Sequence, residues 1–180
     1  MQRRLFIGIN LPVQVRKRLA QRMEKWQDLP VRWSSEENLH ITLSFLGYVY
    51  DSALGGICEK IRIASQKSQI FDITLEEIIL APNSLEPKMI WLTGAPNEEL
   101  RLLQENIEKE LGVFQREKKA FRPHVTLGRI RKNKWRTLPQ IPEIKEKFNV
   151  LIPVGNVEIL ESVVEDGKRK YLLLESCPLR

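Results

Sequence analysis

The sequence predicts an α+β fold built on a mainly antiparallel sheet. Segments with alternating or continuous apolar residues, typical of strands, are interspersed with three segments whose apolar residues recur every three or four positions, as in helices. Several predicted strands follow one another without a helix between them, and the turn sequence Asp166-Gly167 predicts that the last two form a hairpin. With 180 residues, 42% of them hydrophobic and 29% charged, the chain is long enough to bury a substantial core.

The predicted strands are short segments rich in Val, Ile, Leu, Thr and Phe. In chain order they cover residues 3–10, 31–33, 39–45, 71–81, 89–93, 124–130, 150–160 and 169–174. Gly47 is expected to close the third strand, and a turn at residues 83–87 separates the fourth from the fifth. Residues 131–147 are predicted to form a basic connection that is punctuated by Pro139 and Pro142 and has room for a short helix.

Three amphipathic helices are interspersed with these strands. A proline, which the first turn tolerates, precedes the first helix, and this helix is expected to run to about Asp28. Asp51 or Ser52 is predicted to cap the second helix, and Asn97 the third, which ends near Gly112. The apolar faces of the three helices are Val15, Leu19, Met23 and Trp26; Leu54, Ile57, Ile61 and Ala64; and Leu100, Leu103, Ile107 and Leu111.

The sequence carries no signal of a membrane or secreted protein. No apolar run approaches the roughly 20 residues that a membrane-spanning helix needs. The apolar stretch 5–9 that follows Arg3-Arg4 is too short for a signal peptide, so a cytoplasmic location is expected. Cys58 and Cys177 lie far apart and outside any Cys-x-x-Cys spacing, which argues against a disulfide framework or a zinc finger.

Positive charge is concentrated in one window, residues 116–136. The net charge of the chain is +6, but this window carries +8 and the remainder carries −2. The basic residues of the window are Arg116, Lys118, Lys119, Arg122, Arg129, Arg131, Lys132, Lys134 and Arg136. Such a cluster, with Phe121 and Trp135 beside it, is suited to a polyanion, of which nucleic acid is the commonest. A solvated basic loop is the alternative.

One four-residue pattern occurs twice and contains both histidines of the chain. Residues 40–43 are His-Ile-Thr-Leu and residues 124–127 are His-Val-Thr-Leu, each on a predicted strand. Because side chains alternate across a strand, the histidine and threonine of each copy face one side while the two aliphatic residues face the other. Each strand therefore presents an imidazole beside a hydroxyl. Two histidines placed at random would rarely repeat this pattern, which disfavours a purely structural role.

The same residues argue against several other kinds of site. Zinc needs three or four ligands, and neither a cysteine nor an acidic cluster lies near His40 or His124 in the sequence, so no metal is expected. A Gly-x-Ser-x-Gly nucleophile elbow, a P-loop and a His-x-x-x-Asp acyl-transfer motif are absent from the sequence. The paired histidines remain as the candidate acid and base groups.

These motifs and their flanks resemble the 2H phosphoesterase superfamily and, within it, the RNA 2′,3′-cyclic phosphodiesterases, also called 2′-5′ RNA ligases. The resemblance rests on residues 3–12 (RRLFIGINLP), 32–47 (RWSSEENLHITLSFLG) and 121–132 (FRPHVTLGRIRK), and length and motif separation fit over essentially the whole chain. It implies a single bilobal domain over residues 1–180, with pseudo-twofold symmetry, antiparallel sheets lining a central cleft, and helices outside. One departure is Gly128, where the family often has alanine.

The resemblance implies hydrolysis of RNA 2′,3′-cyclic phosphate ends to a 2′-phosphate, with no metal or other cofactor. His40 and His124 would act as general base and general acid, in an order that the sequence leaves open. Thr42 and Thr126 would donate hydrogen bonds to phosphoryl oxygens, and Arg129, matched to the family's arginine, would add positive charge. The odd spacing of Arg129 from His124 places it on the opposite strand face unless a bulge or the strand end redirects it. Reversal of the reaction would join RNA ends by a 2′-5′ linkage.

The expected partner is RNA with 2′,3′-cyclic phosphate ends, tRNA fragments among them, and the protein is expected to be a monomer. Arg122 and Arg131 are candidates for contact with the RNA backbone. Phe45, Trp33 and Phe121 are candidates for base stacking, although core positions are favoured for all three. Two alternatives stay open: a noncatalytic RNA-binding domain that uses residues 116–136, and the same enzyme class acting on 2′-5′ oligoadenylate or ADP-ribose cyclic phosphate.

Overall fold

Antiparallel strands make up most of the computed structural model, which describes residues 1–112 and 121–180. The strands in these ranges are β1 (Gln2–Asn10), β2 (Val31–Trp33), β3 (His40–Tyr50), β4 (Phe71–Ala81), β5 (Met89–Thr93), β6 (His124–Ile130), β7 (Lys145–Val154), β8 (Asn156–Glu165) and β9 (Lys168–Pro178). The α-helices are α1 (Val13–Met23), α2 (Asp51–Ser65), α3 (Glu98–Leu111) and α4 (Lys132–Arg136). The predicted α+β class with an antiparallel sheet is confirmed.

The nine strands of the described ranges form one sheet with an internal symmetry. Their order is β7-β4-β5-β6-β3-β1-β8-β9, and β2 pairs with β6 beside this path. Strands β3 and β6, which carry the two His-x-Thr motifs, lie side by side in the middle. Strands β1, β8 and β9 extend from β3, and β5, β4 and β7 extend from β6, so each half contributes four strands. The two motifs therefore lie where two similar halves meet, as a pseudo-twofold arrangement requires.

Aliphatic side chains on the back of the motif strands anchor them in the core. Ile41, Leu43, Val125 and Leu127 are all buried, at 2% exposure or less. Burial of such a side chain contributes roughly 1.5–3 kcal/mol to stability. Because side chains alternate along a strand, this anchoring holds the histidine and threonine of each motif on the opposite, accessible face.

The third helix begins and ends as the sequence predicts, and the second does not. The Asn97 side chain accepts a hydrogen bond from the backbone N–H of Leu100 at 2.8 Å, and Gly112 ends α3 in the left-handed conformation, with φ of 71°. By contrast, α2 begins at Asp51 and no side chain caps it. The predicted cap is wrong because the Asp51 carboxylate instead forms an ion pair with Arg3, at 2.7 Å.

Three predicted boundaries are also wrong. The third strand continues past Gly47 to Tyr50, because Gly47 adopts a φ of 71° at a β-bulge inside the strand. The predicted strand 150–160 is two strands, β7 and β8, which lie in opposite halves of the sheet and are separated by Gly155. The first helix ends at Met23 and a 3₁₀ turn follows it. The hairpin at Asp166-Gly167 is confirmed, with positive φ at both residues.

Gly128 allows β2 to pack closely against β6. A Cβ atom at this position would lie 2.4 Å from Cγ1 of Val31 and 3.1 Å from Cε3 of Trp33. The Val31 side chain is buried and β-branched, so it has little freedom to move away. An alanine at this position, which is frequent in the family that the sequence resembles, would therefore not fit without a shift of β2.

We predict that Gly128→Ala lowers the free energy of unfolding by about 1–3 kcal/mol, because it overpacks the contact with Val31. Gly55→Ala is the matched control: no atom lies within 4 Å of its would-be Cβ, and alanine favours the interior of α2, so stability should rise by about 0.5–1 kcal/mol. Urea denaturation of both variants measures the difference. An unchanged or raised stability for Gly128→Ala would contradict the packing described.

Candidate active site

The four polar side chains of the two motifs line one cleft of about 1430 Å³. His40 and Thr42 reach it from β3, and His124 and Thr126 reach it from β6. Arg129 lines the same cleft. The structure thus brings together all five residues that the sequence singled out as candidate site residues.

The pairing of the motif strands sets the spacing of the two imidazoles. Ile41 pairs with Val125 in antiparallel register, which places His40 at the level of Thr126 and Thr42 at the level of His124. His40 and His124 are therefore diagonal neighbours, and in a regular ladder such residues lie about 7–8 Å apart. Diagonal neighbours on one face can contact a single phosphate group from two sides.

Backbone carbonyls fix the orientation of both imidazoles. Nδ1 of His40 lies 2.7 Å from the carbonyl oxygen of Asn38, and Nδ1 of His124 lies 2.9 Å from the carbonyl oxygen of Arg122. A carbonyl oxygen can only accept, so each Nδ1 carries a proton. In the neutral state of either ring, Nε2 consequently holds the free lone pair, and in the cationic state it holds the second proton.

The two residues that supply these carbonyls are themselves anchored by their side chains. The amide of Asn38 donates to the Arg169 carbonyl oxygen at 2.7 Å and accepts from the backbone N–H of Tyr171 at 3.2 Å, which ties it to β9. The guanidinium of Arg122 donates to the carbonyl oxygen of Gly94 at 3.3 Å and lies 3.5 Å from the Glu77 carboxylate. Each histidine therefore has a support that its own strand does not provide.

The two imidazoles differ in what their Nε2 atoms contact. Nε2 of His40 lies 2.9 Å from Oγ1 of Thr42, within its own motif. For His124, the structure over residues 1–112 and 121–180 places no hydrogen-bond partner at Nε2. The pseudo-twofold symmetry of the strands therefore does not extend to the hydrogen bonds of the rings.

Aromatic rings pack against both imidazoles. The Phe6 and Tyr171 ring centroids lie 4.8 Å and 5.0 Å from that of His40, and Trp91 stacks on His124 at 4.0 Å with an interplanar angle of 24°. The sequence analysis missed these three residues and Asn38, because only the strand register and the β8–β9 hairpin bring them to the histidines. The one sequence signal for any of these residues was that Trp91 lies on a predicted strand, two residues before its end.

A β-bulge in each motif turns the residue five places after the histidine into the cleft. On β3, Gly8 pairs with Thr42 but Ile7 with Ser44, so Leu43 is an extra residue. On β6, the same irregularity makes Leu127 the extra residue, since Trp91 pairs with Thr126 and Ile90 with Gly128. Each bulge reverses the alternation of side chains.

The consequence differs between the halves, because the fifth residue after the histidine is Phe45 in one and Arg129 in the other. Both line the cleft. The bulge thus removes the difficulty that the odd spacing of Arg129 raised. Phe45 is 69% exposed, so the expectation that it belongs to the core is wrong.

The basic window of the sequence is divided in the structure. Arg122 and Arg129 line the cleft, whereas Arg131 does not. Arg116, Lys118 and Lys119 lie outside the described residues. Trp135, expected beside a polyanion, is instead buried in the core at 3% exposure, while Trp33 and Phe121 are half-buried and pack against the core. Further basic side chains that line the cleft are Arg4, Arg32, Arg101, Lys109 and Arg169.

Neither a metal cluster nor a membrane-spanning helix is found within residues 1–112 and 121–180. No three His, Cys, Asp or Glu side chains in these ranges are grouped closely enough to hold a metal ion. None of the helices in the same ranges is long and apolar enough to cross a membrane.

Comparison with known proteins relates this chain to phosphoesterases. A family model described as "LigT like Phosphoesterase" matches residues 9–91. The RNA 2′,3′-cyclic phosphodiesterase of Aeropyrum pernix is 34% identical over 134 residues, which are 73% of each chain. The chain belongs to the LigT-like phosphoesterase family. The expected membership of the 2H phosphoesterase superfamily is thereby confirmed, and the chain is a member of a family of enzymes.

Two further comparisons extend this relation to nearly the full length of the phosphoesterase. The RNA 2′,3′-cyclic phosphodiesterase of Thermotoga maritima is 29% identical over 186 residues, covering 93% of this chain and 99% of that protein. A crystal structure of a Thermus thermophilus protein superposes with a TM-score of 0.82 over 98% of both chains, at 24% identity. The bilobal fold class that the resemblance implied is therefore confirmed.

Burial lowers the pKa of both histidines in this phosphoesterase. For His40, loss of hydration is the largest cause, the hydrogen bond to the Asn38 carbonyl opposes it, and the charge of His124 lowers the pKa further. For His124, burial is again the largest cause, the Arg122 carbonyl opposes it, and the Arg122 guanidinium lowers the pKa. Both shifts favour the neutral imidazoles, and a bound phosphate anion would favour their protonation.

We predict that both imidazoles titrate below the ordinary histidine pKa of about 6.5. The pKa of His40 should rise in a His124→Asn variant, because a neighbouring positive charge is removed. As the chain holds two histidines, NMR titration resolves them directly. A His40 pKa at or above 6.5, or one that is unchanged by His124→Asn, would contradict the geometry.

The same shifts predict the direction of the pH dependence of stability. A lowered folded-state pKa means that the unfolded chain binds the proton more readily. The contribution of each histidine to stability is therefore fully present above about pH 6.5 and is lost as the pH falls below 6.5 through the folded-state pKa.

Proposed function

We propose that this phosphoesterase hydrolyses the 2′,3′-cyclic phosphate ends of RNA to 2′-phosphates without a metal ion. The observation that carries the proposal is the convergence of two imidazole-hydroxyl pairs on one cleft, with both Nδ1 atoms engaged by carbonyls and both Nε2 atoms on the cleft side, that of His40 in contact with the Thr42 hydroxyl. The relatives named RNA 2′,3′-cyclic phosphodiesterases support this choice of substrate.

His124 is assigned as the general base. Its Nε2 has no hydrogen-bond partner within the described ranges, so a neutral imidazole there offers its lone pair directly to a water molecule in the cleft. Water attacks phosphorus as Nε2 takes its proton, and the Nδ1–H bond to the Arg122 carbonyl stabilises the cation that forms. The stacked ring of Trp91 also favours this cation, since aromatic faces attract positive charge.

His40 is assigned as the general acid, and its protonation state controls Thr42. When His40 is neutral, the Thr42 hydroxyl donates to Nε2 across the 2.9 Å contact. When His40 is cationic, Nε2–H donates to Thr42, and the hydroxyl proton is free to donate to a phosphoryl oxygen. As the P–O3′ bond breaks, the Nε2 proton leaves its hydrogen bond with Thr42 and moves to the 3′ oxygen, so that the phosphate remains on the 2′ oxygen.

Positive charge and hydroxyl donors would stabilise the phosphoryl oxygens in the transition state. Thr126 lies at the level of His40 on the neighbouring strand, so the two threonine hydroxyls approach a phosphate from both motif strands. Arg129 faces the same cleft because of the bulge at Leu127 and would add a fixed guanidinium. The exposed ring of Phe45, at the matching position of the other half, would stack on the base of the terminal nucleotide.

The proposal also covers the domain organisation and the reverse reaction. The chemistry needs one motif from each half, so residues 1–180 would act as a single bilobal domain. In the reverse reaction, a 5′-hydroxyl would replace water as the nucleophile, and the same two histidines would act as acid and base. A monomeric state, a cytoplasmic location and tRNA fragments as substrates stay predictions from the sequence.

We predict that the protein converts 2′,3′-cyclic AMP to 2′-AMP in the presence of EDTA. His40→Ala and His124→Ala should each lower the rate by roughly 10²- to 10⁴-fold while the protein remains folded, because each removes one proton-transfer group. Arg136→Gln, on α4 outside the cleft, is the control and should leave the rate unchanged. The noncatalytic RNA-binding alternative predicts no turnover by the wild-type protein.

A substrate with sulfur in place of the 3′ oxygen separates the two roles. A thiolate leaves without protonation, so His40→Ala should regain most of the wild-type rate on this substrate, whereas His124→Ala should not. Rescue of His124→Ala alone would reverse the assignment. Full activity of either alanine variant on 2′,3′-cyclic AMP would exclude the two-histidine mechanism altogether.

A further inference from the structure

An exposed aromatic strip leaves the cleft along β3. It consists of Phe45, Tyr48 and Tyr50, whose side chains are 69%, 71% and 63% exposed. Large aromatic side chains are usually at least half-buried, so three exposed ones within six residues of a single strand indicate a binding surface. Phe45 marks the end of the strip that lies in the cleft.

The strand register places the whole strip on the cleft face of the sheet. Phe45 pairs with Phe6, and Tyr48 pairs with Arg4. Paired residues of neighbouring strands point to the same face, and Phe6 and Arg4 both line the cleft. Tyr50, two residues after Tyr48, continues the same face. Arg3, by contrast, points to the other face, where it forms ion pairs with Asp51 and Glu161.

Basic side chains accompany the strip. Arg4 pairs with Tyr48 and lines the cleft, and over residues 1–112 and 121–180 its side chain has no hydrogen bond or ion pair. Arg169 of β9 also lines this part of the cleft, where its guanidinium donates to the Ser162 hydroxyl at 2.5 Å. Guanidinium groups beside exposed rings suit a ligand that carries both phosphates and flat bases.

The spacing of the strip fits a single strand of nucleic acid. Same-face positions along a strand are about 7 Å apart, so Phe6, Arg4 and Gln2 mark regular steps away from His40. The partners of these residues on β3 present a ring at each step. In the parts of the other half that the structure describes there is no such series: the position equivalent to Phe45 is Arg129, and the neighbouring Trp91 is half-buried.

We propose that this strip binds the RNA strand on the 5′ side of the cyclic end, a proposal that rests on the proposed function. Phe45 holds the base of the terminal nucleotide, Arg4 contacts the next phosphate, and Tyr48 stacks on the next base, with Tyr50 beyond it. Stacking on aromatic faces is tolerant of sequence, so the strip selects single-stranded RNA over mononucleotides without selecting particular bases.

The test compares kcat/KM on two substrates, 2′,3′-cyclic AMP and the trinucleotide ApApA with a 2′,3′-cyclic end. The wild-type protein should prefer the trinucleotide. Tyr48→Ala should lower kcat/KM on the trinucleotide about ten-fold or more, as expected for loss of one stacked base, and leave kcat/KM on 2′,3′-cyclic AMP unchanged. Arg4→Gln should reduce the slope of log kcat/KM against log salt concentration by about 0.7 on the trinucleotide.

Two control variants separate this surface from other exposed residues. Lys145→Gln and Leu151→Ala change exposed side chains of β7, at the far edge of the sheet, and should change neither rate. Arg32→Gln probes the opposite side of the cleft, where Arg32 pairs with Arg129. A preference for the trinucleotide that depends on Arg32 and not on Tyr48 would overturn the proposal, as would an equal loss on both substrates in Tyr48→Ala.

A binding measurement keeps the proposal testable if the chain has a different activity. Fluorescence anisotropy with a labelled ApApA ending in a 2′-phosphate requires no turnover. Weaker binding of this probe to Tyr48→Ala than to Leu151→Ala supports the strip even if 2′,3′-cyclic AMP is not hydrolysed. A lack of hydrolysis would refute only the proposed function. Equal binding to the two variants would overturn the strip.

Discussion

The pairing of Ile41 with Val125 is the contact on which the geometry of the cleft depends. It joins the two halves of the sheet at the motif strands, and both side chains are fully buried. Because this contact fixes the two backbones side by side, the imidazoles on the other face have a set separation without touching one another. Aliphatic packing on one face thus positions polar groups on the other, which is how a strand can hold catalytic side chains with little freedom to move.

A second constraint acts through the backbone carbonyls that precede each motif. Asn38 and Arg122 stand two residues before the histidines and hold Nδ1–H in both halves. Burial disfavours a charged imidazole, and these carbonyls partly offset that effect by hydrogen-bonding to it. The net effect lowers the pKa of both rings, so the neutral imidazole is favoured until a phosphate anion binds between them.

The two halves have a bulge at the same place in their motif strands, but different residues follow it and create different surfaces. After the extra residues Leu43 and Leu127, the chain presents a ring at Phe45 in one half and a guanidinium at Arg129 in the other. One side of the cleft consequently presents an exposed ring that continues into Tyr48 and Tyr50, while the matching position on the other side presents a guanidinium. A nucleotide, which has a base on one side of its phosphate, matches this asymmetry, whereas a simple phosphate ion has no base to place against the rings.

Local patterns in the sequence predicted the parts of the structure that depend on neighbouring residues. The repeated His-x-Thr motif, the cap at Asn97 and the turn at Asp166-Gly167 are of this kind. The exposure of Phe45 and the direction of Arg129 were not predictable, because a bulge depends on how two strands pair. The packing of Tyr171 and Trp91 on the histidines likewise depends on strands distant in the chain, and the division at Gly155 sends β7 and β8 to opposite halves.

Nitrogen-15 NMR of the two imidazoles during titration with 2′-AMP tests most directly whether both rings address a single phosphate. Without ligand, both rings should carry the proton on Nδ1. On titration, both Nε2 resonances should shift together and yield one dissociation constant. A proton on Nε2 of either neutral ring, or a phosphate that perturbs one histidine and leaves the other unchanged, would contradict the account.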